Sequence, residues 1–300
     1  MSSLKSNKKY VESAINLVFE YSLFKDKLNK NRLHSETIGL LNGADKNSLY
    51  NAYDHLIEEL RRADDNHSKI RKPDYTSTWK GNETPVTLPD FKIMDNVCVI
   101  SVPPFIGIDE ERCITYASKL QQILSKNDEI ALGWIIDLRG NGGGNMAPMV
   151  VGVGPLYDSN IVGYFKSSSG SRTSWGYKNG AYLYDRKEMW RIPTPVRISQ
   201  PKPIAILLDK HTASSAEMLA ISFKGNANTK FFGTHTKGLT TVNASFELGD
   251  GSMLFLATTN TLSRDKIEYT GSVQPDELTE SPLETAVEWV GSSQSSWRVE

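Results

Sequence analysis

Residues 210–218, KHTASSAEM, place two serines, Ser214 and Ser215, between the apolar run Ile204–Leu208 and a helix-like segment. A serine hydroxyl performs acyl transfer when a base removes its proton and main-chain N–H groups hold the oxyanion. The start of a helix supplies such unpaired N–H groups and a positive dipole end. The spacing Ser214-x-x-Glu217 is equally that of a capping box, in which the two side chains only close the helix. The motif fits a nucleophile and a cap alike.

Residues 137–145, DLRGNGGGN, end an apolar strand in Gly142, Gly143 and Gly144. Consecutive glycines reach conformations closed to other residues, which lets neighbouring N–H groups converge on one oxygen. A plain turn has the same composition, and a dinucleotide loop would need glycine where Asn145 stands. A base for a serine must come from elsewhere, and imidazole titrates in the right range. The candidates are His34, His55, His67, His211 and His235. His55 falls on a helix face and His34 in a polar loop, both in solvent. His211 is too near Ser214 in the chain to aim its ring at that hydroxyl without strain. His67, in ADDNHS (63–68), and His235 stay open.

Helical spacing of apolar residues at Val11, Ala14, Ile15, Val18 and Phe19, and again from Leu49 to Leu60, predicts a small N-terminal helical unit. A Pro/Gly/Thr-rich connector, 71–90, follows. Next come a strand at 97–102, a helix from about Asp109 to Ser125, a buried strand at 134–138 and a helix from about Pro148. This alternation predicts an α/β core. Residues 158–200 have weak periodicity and read as an insertion able to cap a cleft. Beyond them lie the strand 204–208, the helix opened by the serine motif, a strand at FFG, and a hairpin turning at Gly249-Asp250-Gly251. A last helix opens at Ser281-Pro282-Leu283-Glu284, and the tail is expected to be loose.

With 34 basic and 35 acidic residues interspersed, no charged footprint points to nucleic acid or an anionic membrane. Cys98 and Cys113 read as small core residues, and neither histidine nor cysteine falls in a ligand spacing, so no metal or cofactor is expected. The first twenty residues contain no signal-peptide core or membrane span, which predicts a cytoplasmic protein as the chain is written.

In order along the chain, DNHS, DLRGNGGG, TASSAE and YTGSVQPD resemble the tail-specific, or C-terminal processing, serine peptidases. The likeness is strongest to the histidine-using branch that includes tricorn core protease and the nisin resistance proteins. It covers roughly residues 10–290. It implies an α/β fold with a crotonase-like ββα protease core, no PDZ domain, and an N-terminal helical unit. The expected boundaries are 1–72 for that unit, 73–291 for the core with 158–200 as a cap, and 292–300 for the tail.

The resemblance also assigns roles. Ser214 matches the nucleophile, His67 the base, and Gly143 and Ser215 the oxyanion hole. Gly142, Gly144, Asn145 and Met146 match positions that meet the peptide, and Glu268 an orienting acid of the tricorn-type relay. Leu239 stands where other branches carry a lysine base, with Lys237 two positions away. Asn66 stands where the relay has a serine, which leaves a Ser-His dyad. The implied substrate is a peptide cut near its C-terminus, of the lanthipeptide class. Unfolded polypeptides, or a non-catalytic small-molecule or lipid carrier, are the alternatives. Relatives with an N-terminal anchor imply a membrane-anchored extracellular protein if an anchor has been removed from this chain.

Overall fold

A computed structural model describes residues 3–74 and 85–297. Residues 75–84 of the expected connector and 298–300 of the expected tail lie outside the described residues. In chain order the elements are α1 (Leu4–Tyr21), α2 (Lys30–Gly39), α3 (Lys46–Arg62), β1 (Lys69–Arg71), β2 (Asp90–Met94) and β3 (Val97–Ser101). They continue with α4 (Glu110–Asn127), β4 (Gly133–Asp137), α5 (Met146–Val153), β5 (Ile161–Ser167), β6 (Arg172–Lys178), β7 (Ala181–Tyr184) and β8 (Lys187–Arg191). The remainder is β9 (Ile204–Leu208), α6 (Ser215–Ser222), β10 (Thr229–Gly233), β11 (Thr241–Glu247), β12 (Met253–Ser263), β13 (Glu268–Tyr269), β14 (Glu277–Leu278) and α7 (Pro282–Trp297).

Two compact units form. The first holds residues 1–81, 166–171 and 241–260, the second 82–165, 172–240 and 261–300. In the first, α1, α2 and α3 each start on a side-chain cap, Ser3, Asn29 and Asp45, which accept from the N–H of Ser6, Arg32 and Ser48. The apolar stripes of these helices merge around Val11, Ile15, Leu33, Leu49 and Leu56, and Leu248, Leu254 and Leu256 from the β11–β12 hairpin complete that core. The unit therefore reaches beyond the expected 1–72, because three helices alone leave an apolar face that the hairpin covers. The α2 helix corrects the polar loop expected around His34. Only Leu33 and Thr37 of its ten residues are buried, too few to write a helical period. The strand β1 pairs antiparallel with β12, Lys69 opposite Phe255.

The second unit is built on a sheet in the order β14-β10-β9-β4-β3-β2, parallel except for the β2–β3 pair. Strand β9 is apolar throughout, and β4 is apolar and buried up to Asp137 at its carboxyl end, because both lie inside the sheet with both faces covered. The last helix, α7, covers one face through Leu283, Ala286, Val287 and Val290 against Val99, Ile135, Leu207 and Phe232. It continues to Trp297, so residues 292–297 are helical rather than loose. The weakly periodic 158–200 segment contains a regular structure, with β6, β7 and β8 antiparallel in succession and β5 beside β6. Phe165 stacks on the buried Trp175 there, with centroids 5.6 Å apart.

Candidate active site

The loops that follow neighbouring parallel strands β4 and β9 leave the carboxyl edge of the sheet together, the position where open α/β sheets collect ligands. Ser214 caps α6 at the end of the loop from β9. An ordinary helix cap has an extended backbone, but Ser214 sits at φ 55°, ψ −120°. A serine held there is strained, and such strain persists only where the surroundings enforce it. The residue stands at a strand-to-helix turn, at the positive end of α6, as in a nucleophile elbow. Ser215 is the first residue of the helix, where an N–H has no intrahelical acceptor.

Backbone contacts from the glycine loop enforce the turn. The Ala213 N–H donates to the Asn141 carbonyl (2.9 Å), and Ser215 Oγ donates to the Gly144 carbonyl (2.5 Å). Gly143 and Gly144 adopt φ of 99° and 120°. A Cβ on Gly144 would lie 2.0 Å from the Phe105 carbonyl oxygen, so only glycine fits. The Gly143 N–H, matched to an oxyanion donor, already donates to Asn141 Oδ1 at 2.9 Å. Asn141 is 1% exposed, and its Nδ2 donates to the Val102 carbonyl at 2.7 Å.

Two carboxylates tie the loops together. Glu217 is fully buried. It accepts from the N–H groups of Ser214 (2.9 Å), Gly238 (2.7 Å) and Leu239 (2.8 Å) and from the Thr236 hydroxyl. Burial pushes its carboxyl above the usual range, and these donors pull it back. Asp209 accepts from the N–H groups of Gly140 (3.1 Å), His211 (2.9 Å) and Thr212 (2.8 Å). Partial burial opposes its charge, but those donors prevail and hold it below the usual carboxylate value. The glutamate of the capping-box spacing thus does more than close a helix.

His67 belongs to the first unit and is 7% exposed. Asp65, fully buried, accepts at Oδ1 from the N–H groups of His67 (3.1 Å) and Ser68 (2.9 Å), and at Oδ2 from Ser68 Oγ (2.5 Å). Burial raises the Asp65 carboxyl, and the Ser68 and His67 donors offset part of that rise. Ser68 Oγ accepts from the Ala257 N–H at 2.8 Å. His67 Nδ1 lies 2.9 Å from Thr241 Oγ1, and Asn243 Nδ2 donates to the His67 carbonyl at 3.1 Å. Asp65 is an aspartate whose turn is visible in DNHS. Thr241 and Asn243 carry no local signal and were not expected.

Among the other candidates, His211, His235 and Lys237 are exposed. The Lys237 N–H donates to the Thr212 carbonyl. His34 is exposed on α2, whereas His55, expected in solvent, is 22% exposed with Nε2 3.7 Å from Glu36. Glu36, His55 and Glu59 have ligand-type atoms within 4.8 Å of one another, but the Glu59 carboxylate is already paired with Arg32 and Arg62. Glu268 is half-buried in β13, opposite Leu262. Gly142 is exposed. Asn145 caps α5, its Oδ1 accepting from the Ala147 N–H (3.0 Å) and its Nδ2 donating to the Gly107 carbonyl (3.1 Å), and Met146 is buried. Among the described residues, no helix is long and apolar enough to cross a membrane.

Residues 96–279 match the profile of Peptidase family S41. The nisin-resistance protein of Lactococcus lactis subsp. lactis is 31% identical over 289 residues, 96% of this chain and 88% of that protein. The carboxy-terminal processing protease CtpA of Bacillus subtilis (strain 168) is 31% identical over 135 residues, 45% of this chain and 26% of that protein. A lipoprotein from Streptococcus agalactiae superposes with TM-score 0.80 at 26% identity, covering 97% of both chains. The photosystem II D1 C-terminal processing protease shares the fold, with TM-score 0.60 at 14% identity over 97% of this chain and 98% of that one.

Proposed function

The chain belongs to peptidase family S41 and is a serine peptidase, and on that premise we propose that Ser214 is its nucleophile and His67 its general base. The observation that carries the first assignment is the left-handed backbone of Ser214, a conformation that a structural cap does not need. Nε2 of His67 takes the hydroxyl proton as Oγ bonds to the peptide carbonyl carbon. The resulting oxyanion is held by the N–H of Ser215 and by that of Gly143, which exchanges Asn141 Oδ1 for the substrate. Collapse breaks the C–N bond, the imidazolium protonates the leaving amine, and water hydrolyses the acyl-enzyme by the same route.

The substrate is a peptide of the lanthipeptide class, cut near its C-terminus. The 31% identity to a nisin-resistance protein over 96% of this chain supports this choice. The rim formed by residues 142–146 meets the peptide. Similarity to a lipoprotein favours action at a membrane surface over the cytoplasm; fractionation of the producing cells checks it.

Incubation with nisin followed by mass spectrometry tests the reading. The parent should release a C-terminal fragment, Ser214→Ala none, and His67→Ala less by about 10²–10⁴ in rate. A Ser214→Ala protein that cuts as fast as the parent overturns the nucleophile. Loss of activity in Lys237→Ala with His67→Ala still active transfers the base to lysine. Cleavage of unfolded polypeptides with no lanthipeptide cut replaces the specific substrate by the general one.

A further inference from the structure

We infer that Thr241 is the positioning residue of the base, a neutral hydroxyl in the place where serine peptidases commonly carry an acid. The inference rests on His67 being the base. The contacts that hold that histidine within the first unit include Asp65 on its N–H, Asn243 on its carbonyl, and Thr241 Oγ1 on Nδ1 at 2.9 Å. The first two fix the main chain of His67, and the third fixes the ring.

Thr241 and Asn243 stand two positions apart on β11, so both side chains leave the strand on the same side. The ladder with β12 shifts register beside them, between Val242 and Asn243, leaving Thr258 as the extra residue of β12. Bulges of this kind re-aim side chains next to active sites. The neighbouring Ala257 donates to Ser68, which seats the histidine turn on the bulge.

The chemistry follows from the partner of Nδ1. When Nδ1–H donates to Thr241 Oγ1, the lone pair is on Nε2, where a serine proton can be taken. If the threonine donated instead, the proton would sit on Nε2 and the ring could not act as a base. A carboxylate enforces the first arrangement by charge. A hydroxyl enforces it only by geometry, and accepts from Nδ1–H once the imidazolium forms.

The test combines kinetics with 15N NMR of the histidine rings, His67 assigned by its loss in His67→Ala. Thr241→Val should lower kcat by about ten- to a hundredfold with KM unchanged, part of the roughly 10²–10⁴ that general-base catalysis is worth. Thr241→Ser should keep most of the activity. In the parent, Nδ1 should carry the proton and Nε2 should be bare, and Thr241→Val should mix the two tautomers. If Thr241→Val matches the parent while His67→Ala is inactive, Thr241 has no such role and the base assignment stands. If His67→Ala is fully active, the base assignment itself is wrong. Should the valine variant fail to fold, a parent spectrum with the proton on Nε2 overturns the inference by itself.

Discussion

A Cβ placed on Gly143 would lie 2.8 Å from the Cβ of Ser214. The Gly143 main chain therefore packs directly against residues 213–215 of the serine elbow, with no room for a side chain at position 143. Gly143→Ala places a methyl group in that contact at a φ of 99°, a conformation costing about 1–3 kcal/mol for a residue with a Cβ. The variant should melt at a lower temperature and lose peptide cleavage. Parent-like melting and turnover would show that the close approach is not required.

Asn141 holds the same loop from inside. Asn141→Ala removes the acceptor of the Gly143 N–H and the donor to the Val102 carbonyl, both in a position 1% exposed. Stranding such buried groups costs about 1–3 kcal/mol each. Urea unfolding should show a loss on this scale, with the slope unchanged. An unfolding midpoint equal to that of the parent would mean that the loop is held by other contacts.

Asp209 and Glu217 predict opposite trends with pH. Asp209 is held below its ordinary value of 3.8. Its contribution is complete above that value and is lost as pH falls through the lower folded value. Glu217 is raised above 4.5, so the folded state binds its proton more tightly and stability declines as pH climbs from 4.5 through the folded value. Thermal melts between pH 3 and 7 should show a flatter acid limb for Asp209→Asn and a smaller decline on the rising side for Glu217→Gln. Parallel curves for parent and variants would contradict both.

The cysteines are expected to be inert. Burial pushes the thiols of Cys98 and Cys113 up to about 12, which leaves almost no thiolate at pH 8. Iodoacetamide should leave activity intact, and both thiols should react with a chromogenic disulfide only in denaturant. Rapid labelling of the native protein would refute this.

Most of what is local in this molecule is legible in the order of its residues. The apolar runs 134–136 in β4 and 204–208 in β9 mark strands buried on both faces. The three-and-four spacing of Val11, Ile15 and Val18 marks α1, and the turn Gly249-Asp250-Gly251 marks the hairpin. The elbow, the glycine loop and the DNHS turn can be found the same way, because a positive φ, a close backbone approach or an aspartate turn needs particular residue types at adjacent positions. What cannot be found that way is weakly patterned or far apart. The α2 helix has too few buried positions to show a period, and Ser/Gly-rich residues hide the β5–β8 strands.

Chain order alone determined which residues can do acyl-transfer chemistry, since hydroxyl, imidazole, carboxylate and glycine are properties of residue types. Tertiary structure decided who holds them. It set the hairpin 241–260 into the helical unit, gave the Nδ1 of His67 to a threonine 174 positions away, and let Asn141 occupy the N–H of Gly143. Hydrogen bonds of 2.9 Å depend on where two segments of the chain end up in space. Composition and spacing record only what each residue could accept or donate once there.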